Sequence, residues 1–373
     1  MSNDVPTMSN DAPAVANDVS TLVVAAGRSR TVNILLAAAV ALVAMDVLVA
    51  ALGGPASVQF VVGAVALVPL AFVIGESTER LSEHTGPVVG GLLNATMGNA
   101  PELMVSLFAV SGGLFTVVRA SLVGSVVSNL LLVLGTTMVF APRSKVSRGS
   151  VAAALGQVAF AIAIFAAMAV HYGWQRPGEQ SAAFDLPGCA VLLGLYVVLT
   201  IRSVRAGLAE HRENREAAPT PLWSLRKGLC YLILATAATV LATHVVTDTI
   251  EAFADASGLG LFFTSAVVVA IIGNAAEHGG AVVVAARGNM ELALEISLSS
   301  AAQVAVFVLP VVGLLSATFR PMPMAFTPIE IVSLMCAVLL PALVLRGGRS
   351  TPARGVVLLV GYVLLAAAYF AFG

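Results

Sequence analysis

The stretches GNAPE (98–102) and GNAAE (273–277) are almost one phrase written twice, and each ends in a glutamate within a long apolar run. An acid in lipid is costly, and those kept there face a cavity, bind an ion or relay protons. Glu102 and Glu277 are therefore the chemistry-bearing residues, with Asn99 and Asn274 three positions before them. A polar set follows each motif: Ser125, Ser128 and Asn129 after the first, Ser300 and Gln303 after the second. Their spacings of three and four put each set on one helical face. Donors that are all oxygen suit hard cations, of which Ca²⁺ takes about six to eight. Gly98, Gly273 and Pro101 are expected to loosen the backbone beside the acids and free carbonyls for the same ion. Two carboxylates balance one divalent cation, and protons can replace it when it leaves. A site that alternates in this way belongs to an exchanger.

The surrounding residues carry weaker signals. The serines, Asn129 and Gln303 also fit plain interhelical hydrogen bonds. His278 titrates in a range that suits a proton relay. It sits about 100° around the helix from Glu277, so a structural role fits equally well. Glu79 and Glu83, and Glu291 with Glu295 one turn apart, read as acids at the cytoplasmic rim. Glu330 and Asp46 are lone acids in apolar runs and take no role at this stage. A metalloenzyme reading of Glu277-His278 needs a second histidine at helical spacing, as in HExxH, and the chain has none. The protein is read as a non-enzyme without catalytic residues.

The elements that must hold these residues are spanning helices. The chain has 373 residues, 58% hydrophobic and 10% charged, against roughly a quarter charged in soluble domains. Apolar windows of about 20 residues fall near 33–52, 58–76, 87–110, 115–139, 150–170, 184–205, 227–246, 262–286, 290–315, 327–345 and 355–372. The expected fold is thus all-α and integral to the membrane, with eleven transmembrane helices. With the N-terminus cytoplasmic, 16 of the 19 Lys and Arg fall inside and only Arg119, Arg176 and Arg320 outside, as the positive-inside rule asks.

The motifs lie 175 residues apart. Setting the first helix aside leaves five spans on each side of the polar stretch, and an odd unit must re-enter the membrane inverted. Inverted repeats place ion sites near the midplane where they meet. The expected organisation is a disordered cytoplasmic tail (1–30), an extra N-terminal helix (31–57), a first repeat (58–206), a polar cytoplasmic linker (207–225) and a second, inverted repeat (226–373). The tail lacks the basic start and apolar core of a signal peptide. The three cysteines are too scattered for a disulfide or metal cluster.

On these stretches the chain resembles the cation/proton exchangers, the Ca²⁺/H⁺ antiporter family of the calcium/cation antiporter superfamily. The matching residues are GPVVGGLLNATMGNAPELMVSLFA (86–109), GSVVSNLLLVLG (124–135), GNAAEHGGAVVVA (273–285) and FTPIEIVSL (326–334). The resemblance implies that Glu102 and Glu277 bind Ca²⁺ and protons in alternation, with Asn99, Asn274, Ser125, Ser128, Asn129, Ser300 and Gln303 as neighbouring polar positions. Where the family often reads Gly-Ser-Ser-Thr-Gln, this chain has Ser299-Ser300-Ala301-Ala302-Gln303, with two hydroxyl positions lost and one moved. It also implies export of Ca²⁺ from the cytoplasm of a bacterial inner membrane, with no cofactor beyond the transported Ca²⁺ and H⁺. Na⁺, K⁺ or Mn²⁺ against protons are the alternatives within transport. The expected partners are a cation, protons and the bilayer, with no nucleic acid and a homo-oligomer left open.

Overall fold

A chain crossing lipid must satisfy its backbone within each segment, and runs of Leu, Val and Ala do so as helices. The computed structural model describes residues 12–141, 143–171, 185–213 and 222–372. The first half contains α1 (Ala12–Ala51), α2 (Ala56–Gly98), α3 (Ala100–Gly112), α4 (Phe115–Val127), α5 (Leu134–Phe140), α6 (Arg148–His171) and α7 (Asp185–Glu213). The second contains α8 (Leu225–Ser257), α9 (Leu261–Phe263), α10 (Ala270–Gly273), α11 (Ala275–Ala286), α12 (Met290–Gln303), α13 (Leu309–Phe319), α14 (Pro328–Leu345) and α15 (Pro352–Phe372). Wider π-helical turns join α4 to α5 (Ser128–Val133), α9 to α10 (Thr264–Val269) and α12 to α13 (Val304–Val308). A short antiparallel pair, β1 (Ser144–Lys145) with β2 (Arg349–Ser350), ties the two halves together.

Among the described residues nine helices are long and apolar enough to cross a membrane. Counting the pair Leu261–Gly273 and Ala275–Ala286, bent by 59°, makes ten. The remaining expected window, 87–110, falls on the end of α2 and on α3. Burial sorts the helices into centre and periphery. In the continuous span Phe115–Phe140, 94% of the most apolar stretch is buried, against 11% in Arg30–Ala51. Outer helices instead present Ile233, Leu343, Val363 and Leu364 outward, as a lipid-facing surface requires.

Several elements recur 175 residues apart. α3 and α11 begin at 100 and 275, α4 and α12 at 115 and 290, α5 and α13 at 134 and 309. Left-handed Gly113 (φ 80°) and Gly288 (φ 91°) follow α3 and α11, a conformation that suits a residue without Cβ.

Two expectations on organisation change. The stretch 12–30, expected as a disordered tail, continues α1 as helix; its Ala, Val and Leu residues support one continuous turn pattern. Residues 1–11 lie outside the described residues, as do 214–221 of the expected linker, whose first residues extend α7 to Glu213. Window 58–76 and the first part of window 87–110, expected in separate helices, share α2. The intervening GESTERLSEH stays helical because Arg80 donates to Glu76 at 2.6 Å and to Glu83 at 2.5 Å, pairs at i,i+4 and i,i+3.

The tightest crossing sets α4 against the π-helical Thr264–Val269. A Cβ on Gly124 would lie 1.9 Å from the carbonyl oxygen of Ala266. Backbone cannot rotate away as a side chain can, so Gly124→Ala is expected to cost at least the ~1–3 kcal/mol of overpacking. Thermal unfolding of the purified variant in detergent measures it, and an unchanged midpoint contradicts the crossing.

Candidate cation-binding site

Each motif glutamate enters from a helix start. α2 ends at Gly98 and α3 starts at Ala100, with Asn99 between them at φ −96°, ψ 13°. α10 ends at Gly273 and α11 starts at Ala275, with Asn274 at φ −93°, ψ 9°. Glu102 and Glu277 thus sit in the first turns of α3 and α11, where the helix dipole favours negative charge. Pro101, expected to break a helix, instead occupies its first turn, where a missing N–H costs nothing. The equivalent break at Asn274 forms without a proline.

The glycines also have a different reason from the expected one. Neither Gly98 nor Gly273 has positive φ. Each faces the opposite acid: a Cβ on Gly273 would come tightly within 3.1 Å of Glu102 Oε1, and one on Gly98 would make ordinary contact with Glu277 Oε1 at 3.5 Å. The two acids are therefore crossed, each resting over the other motif's glycine.

Polar side chains from four helices close around them. Asn129 Nδ2 donates to Ser300 Oγ at 3.0 Å and to Asn274 Oδ1 at 3.3 Å. Asn274 Nδ2 donates to Ser125 Oγ at 2.9 Å. Asn99 Nδ2 donates to Gln303 Oε1 at 2.8 Å. Ser128 Oγ turns back to the Ser125 carbonyl, so it joins through its own helix. Asn99, Glu102, Ser125, Ser128, Asn129, Asn274 and Ser300 are buried, while Glu277, His278 and Gln303 are partly so. Glu102 Oε2, Glu277 Oε2 and Asn129 Oδ1 are buried and accept no hydrogen bond from the described residues. Buried oxygens are normally partnered, and these three lie on residues of the two motifs and of the polar set beside them. Among the described residues no group of three or more His, Cys, Asp or Glu gathers as a metal cluster; the donors are two acids and neutral oxygens.

The sodium/calcium exchanger protein family matches residues 55–205 and again 227–371. This chain belongs to that family. The exchanger, a member of the calcium/cation antiporter superfamily, is 33% identical over 325 residues to the Ca²⁺/H⁺ antiporter ChaA of Bacillus subtilis, covering 85% of this chain and 93% of the relative. It is 32% identical over 348 residues to a Ca²⁺/H⁺ antiporter of Synechocystis, covering 86% and 92%. The structure of native YfkE matches with TM-score 0.77 at 31% identity, covering 91% of this chain and all of the other. The H⁺/Ca²⁺ exchanger CAX, at TM-score 0.68 and 14% identity with coverage of 91% and 92%, shares the fold.

The remaining acids of the exchanger separate by position. Glu79 and Glu295 are exposed. Glu83 is bound up: it holds Arg80 and accepts from the Leu222 backbone at 3.1 Å, which with His84 Nε2 against Trp223 O (2.6 Å) pins α2 to the start of α8. His278 Nε2 is buried without a partner among the described residues. Glu330, given no role from sequence, pairs with Arg119 at 3.3 Å with both side chains buried. Its other oxygen accepts from the Thr327 backbone N–H and hydroxyl at 2.6 and 2.9 Å. The signal available was the order Thr327-Pro328-Ile329-Glu330, a helix-start capping box, although its partner lies 211 residues away. Breaking a buried pair leaves one charge uncompensated, so Glu330→Gln is expected to destabilise the fold by about 3–5 kcal/mol. The double variant Arg119→Met/Glu330→Gln is expected to regain most of that in the same thermal assay. A Glu330→Gln midpoint equal to the wild type's contradicts the pairing.

Proposed function

We propose that this exchanger is a secondary Ca²⁺/H⁺ antiporter working by alternating access, in which the cation and protons compete for Glu102 and Glu277. The observation that carries this reading is the crossed pair of glutamates, each over the other motif's glycine, with buried oxygens left for a ligand. Two carboxylates with a divalent cation, or with two protons, form a nearly neutral unit that a low-dielectric interior tolerates. The empty, doubly charged site is the costly state, so the helices change sides only when it is filled. Asn99, Asn274, Ser125, Ser128, Asn129, Ser300 and Gln303 supply and orient neutral donors, and His278, next to Glu277 in the chain, serves as a relay in this scheme. No resident cofactor enters the scheme.

The arrangement that would carry this motion is eleven spans, an N-terminal helix followed by two inverted units of five. The 175-residue recurrence of element starts and the two separate family matches support it. The distribution of Lys and Arg supports a cytoplasmic N-terminus, and bacterial relatives support the plasma membrane as the location. Export of Ca²⁺ then uses protons entering down their gradient. Relatives named Ca²⁺/H⁺ antiporters support Ca²⁺ as the ion.

The test is ⁴⁵Ca²⁺ uptake into proteoliposomes with and without an imposed pH gradient. Uptake that follows the gradient, with proton flux of opposite sense, is the expected result. Uptake driven by Na⁺ or K⁺ gradients and indifferent to pH, or preference for Mn²⁺, overturns the ion assignment.

A further inference from the structure

A cavity of about 730 Å³ lies between α6, α7 and α12 and reaches the site from one side. From α12 it is lined by Glu291, Glu295, Ser299 and Gln303. These residues recur every four positions, so they stack one turn apart on a single face. Together they cover about 18 Å of helix axis. Across from them stand Gln157 of α6 and Thr200 and Ser203 of α7, and among the described residues no Lys or Arg lines the space. The absence of basic lining is notable because Lys145, Arg148, Arg202 and Arg205 all lie close by in the chain. Glu291, Glu295 and Ser299 are exposed, and Gln303 is partly buried. Gln303 is also where the stripe meets the site: its Oε1 accepts from Asn99, the residue at the break before Glu102.

We propose that this face of α12 is the cation's intake lane, with Glu291 and Glu295 collecting the ion and Ser299 and Gln303 passing it to Asn99 and Glu102. The lane rests on the cation-exchange reading above. Acids at the mouth of a low-dielectric cleft concentrate cations locally. Neutral oxygens farther in replace water without holding the ion so firmly that it stays. The sequence grades the stripe in that order, from carboxylate to hydroxyl to amide.

The test places a cysteine at Ser299 and compares labelling by cationic and anionic methanethiosulfonate reagents, with the wild-type chain and its three native cysteines as background. We expect Ser299→Cys to react about tenfold faster with the cationic reagent, as field focusing allows. Adding Glu291→Gln and Glu295→Gln, or about 1 M salt, should level the two rates, since screening then acts within about 3 Å. Labelling should block ⁴⁵Ca²⁺ flux. In the otherwise native chain, Glu295→Gln should raise the cation KM severalfold at low salt and leave the maximal rate near wild type. Unreactive Ser299→Cys, labelling without loss of flux, or a charge preference that survives both glutamine substitutions overturns the lane. Wild-type protein without Ca²⁺/H⁺ exchange refutes the ion assignment separately, because the labelling preference is measured without transport.

Discussion

Glu102→Gln and Glu277→Gln are each expected to lower Ca²⁺ affinity by at least about a hundredfold and to stop exchange, with the folded protein still in the membrane. The amide keeps the shape of the side chain but loses its charge and its exchangeable proton. A divalent cation then faces one carboxylate, and the buried charge left uncompensated costs about 3 kcal/mol or more, two decades in affinity. Both substitutions should act alike, because each acid is placed by the same backbone break in the first turn of its helix. Size-exclusion profile and thermal midpoint establish that the fold persists, and isothermal titration with ⁴⁵Ca²⁺ flux gives the two functional numbers. Exchange at the wild-type rate by either variant removes that glutamate from the mechanism.

The second large effect is on pH. If cation and protons occupy the same two carboxylates, Ca²⁺ binding must displace whatever protons they hold. Protonation cancels the charge that attracts the cation, so apparent affinity falls as pH falls. Displacing two protons per Ca²⁺ gives a limiting loss of about a hundredfold per pH unit, and displacing one gives about tenfold. Glu102→Gln leaves at most one titrating carboxylate and should flatten the slope accordingly. Titrations of the detergent-solubilised protein at several pH values, at fixed ionic strength, measure this directly. Affinity constant from mildly alkaline to mildly acidic pH rules out competition at this pair.

Periodicity and repetition made much of this molecule readable in advance. The doubled motif exposed both acids, and the starts of α3, α4 and α5 recur in the structure at the same 175-residue offset. Helical spacing also placed Ser125 with Asn129 and Ser300 with Gln303. What stayed hidden depended on contacts between distant segments. Nothing local to Arg119 announces Glu330, and nothing near Gly98 announces a carboxylate from α11. Backbone geometry was hidden too, since a glycine needed for space and a glycine needed for positive φ look the same in one letter. α2 runs longer than expected because charges between the two apolar windows pair along one helix face.

The crossing of acids and glycines couples substitutions in one motif to the acid of the other. Position 98 is monitored by the carboxylate of residue 277, and position 273 by that of residue 102. A change in one stretch is thus felt first in the other, far along the chain. Each half carries an acid without its floor and a floor without its acid. A side chain larger than glycine at position 273 would press on the Glu102 carboxylate at 3.1 Å, so its effect is expected to be read at the first motif's acid before it is read at its own.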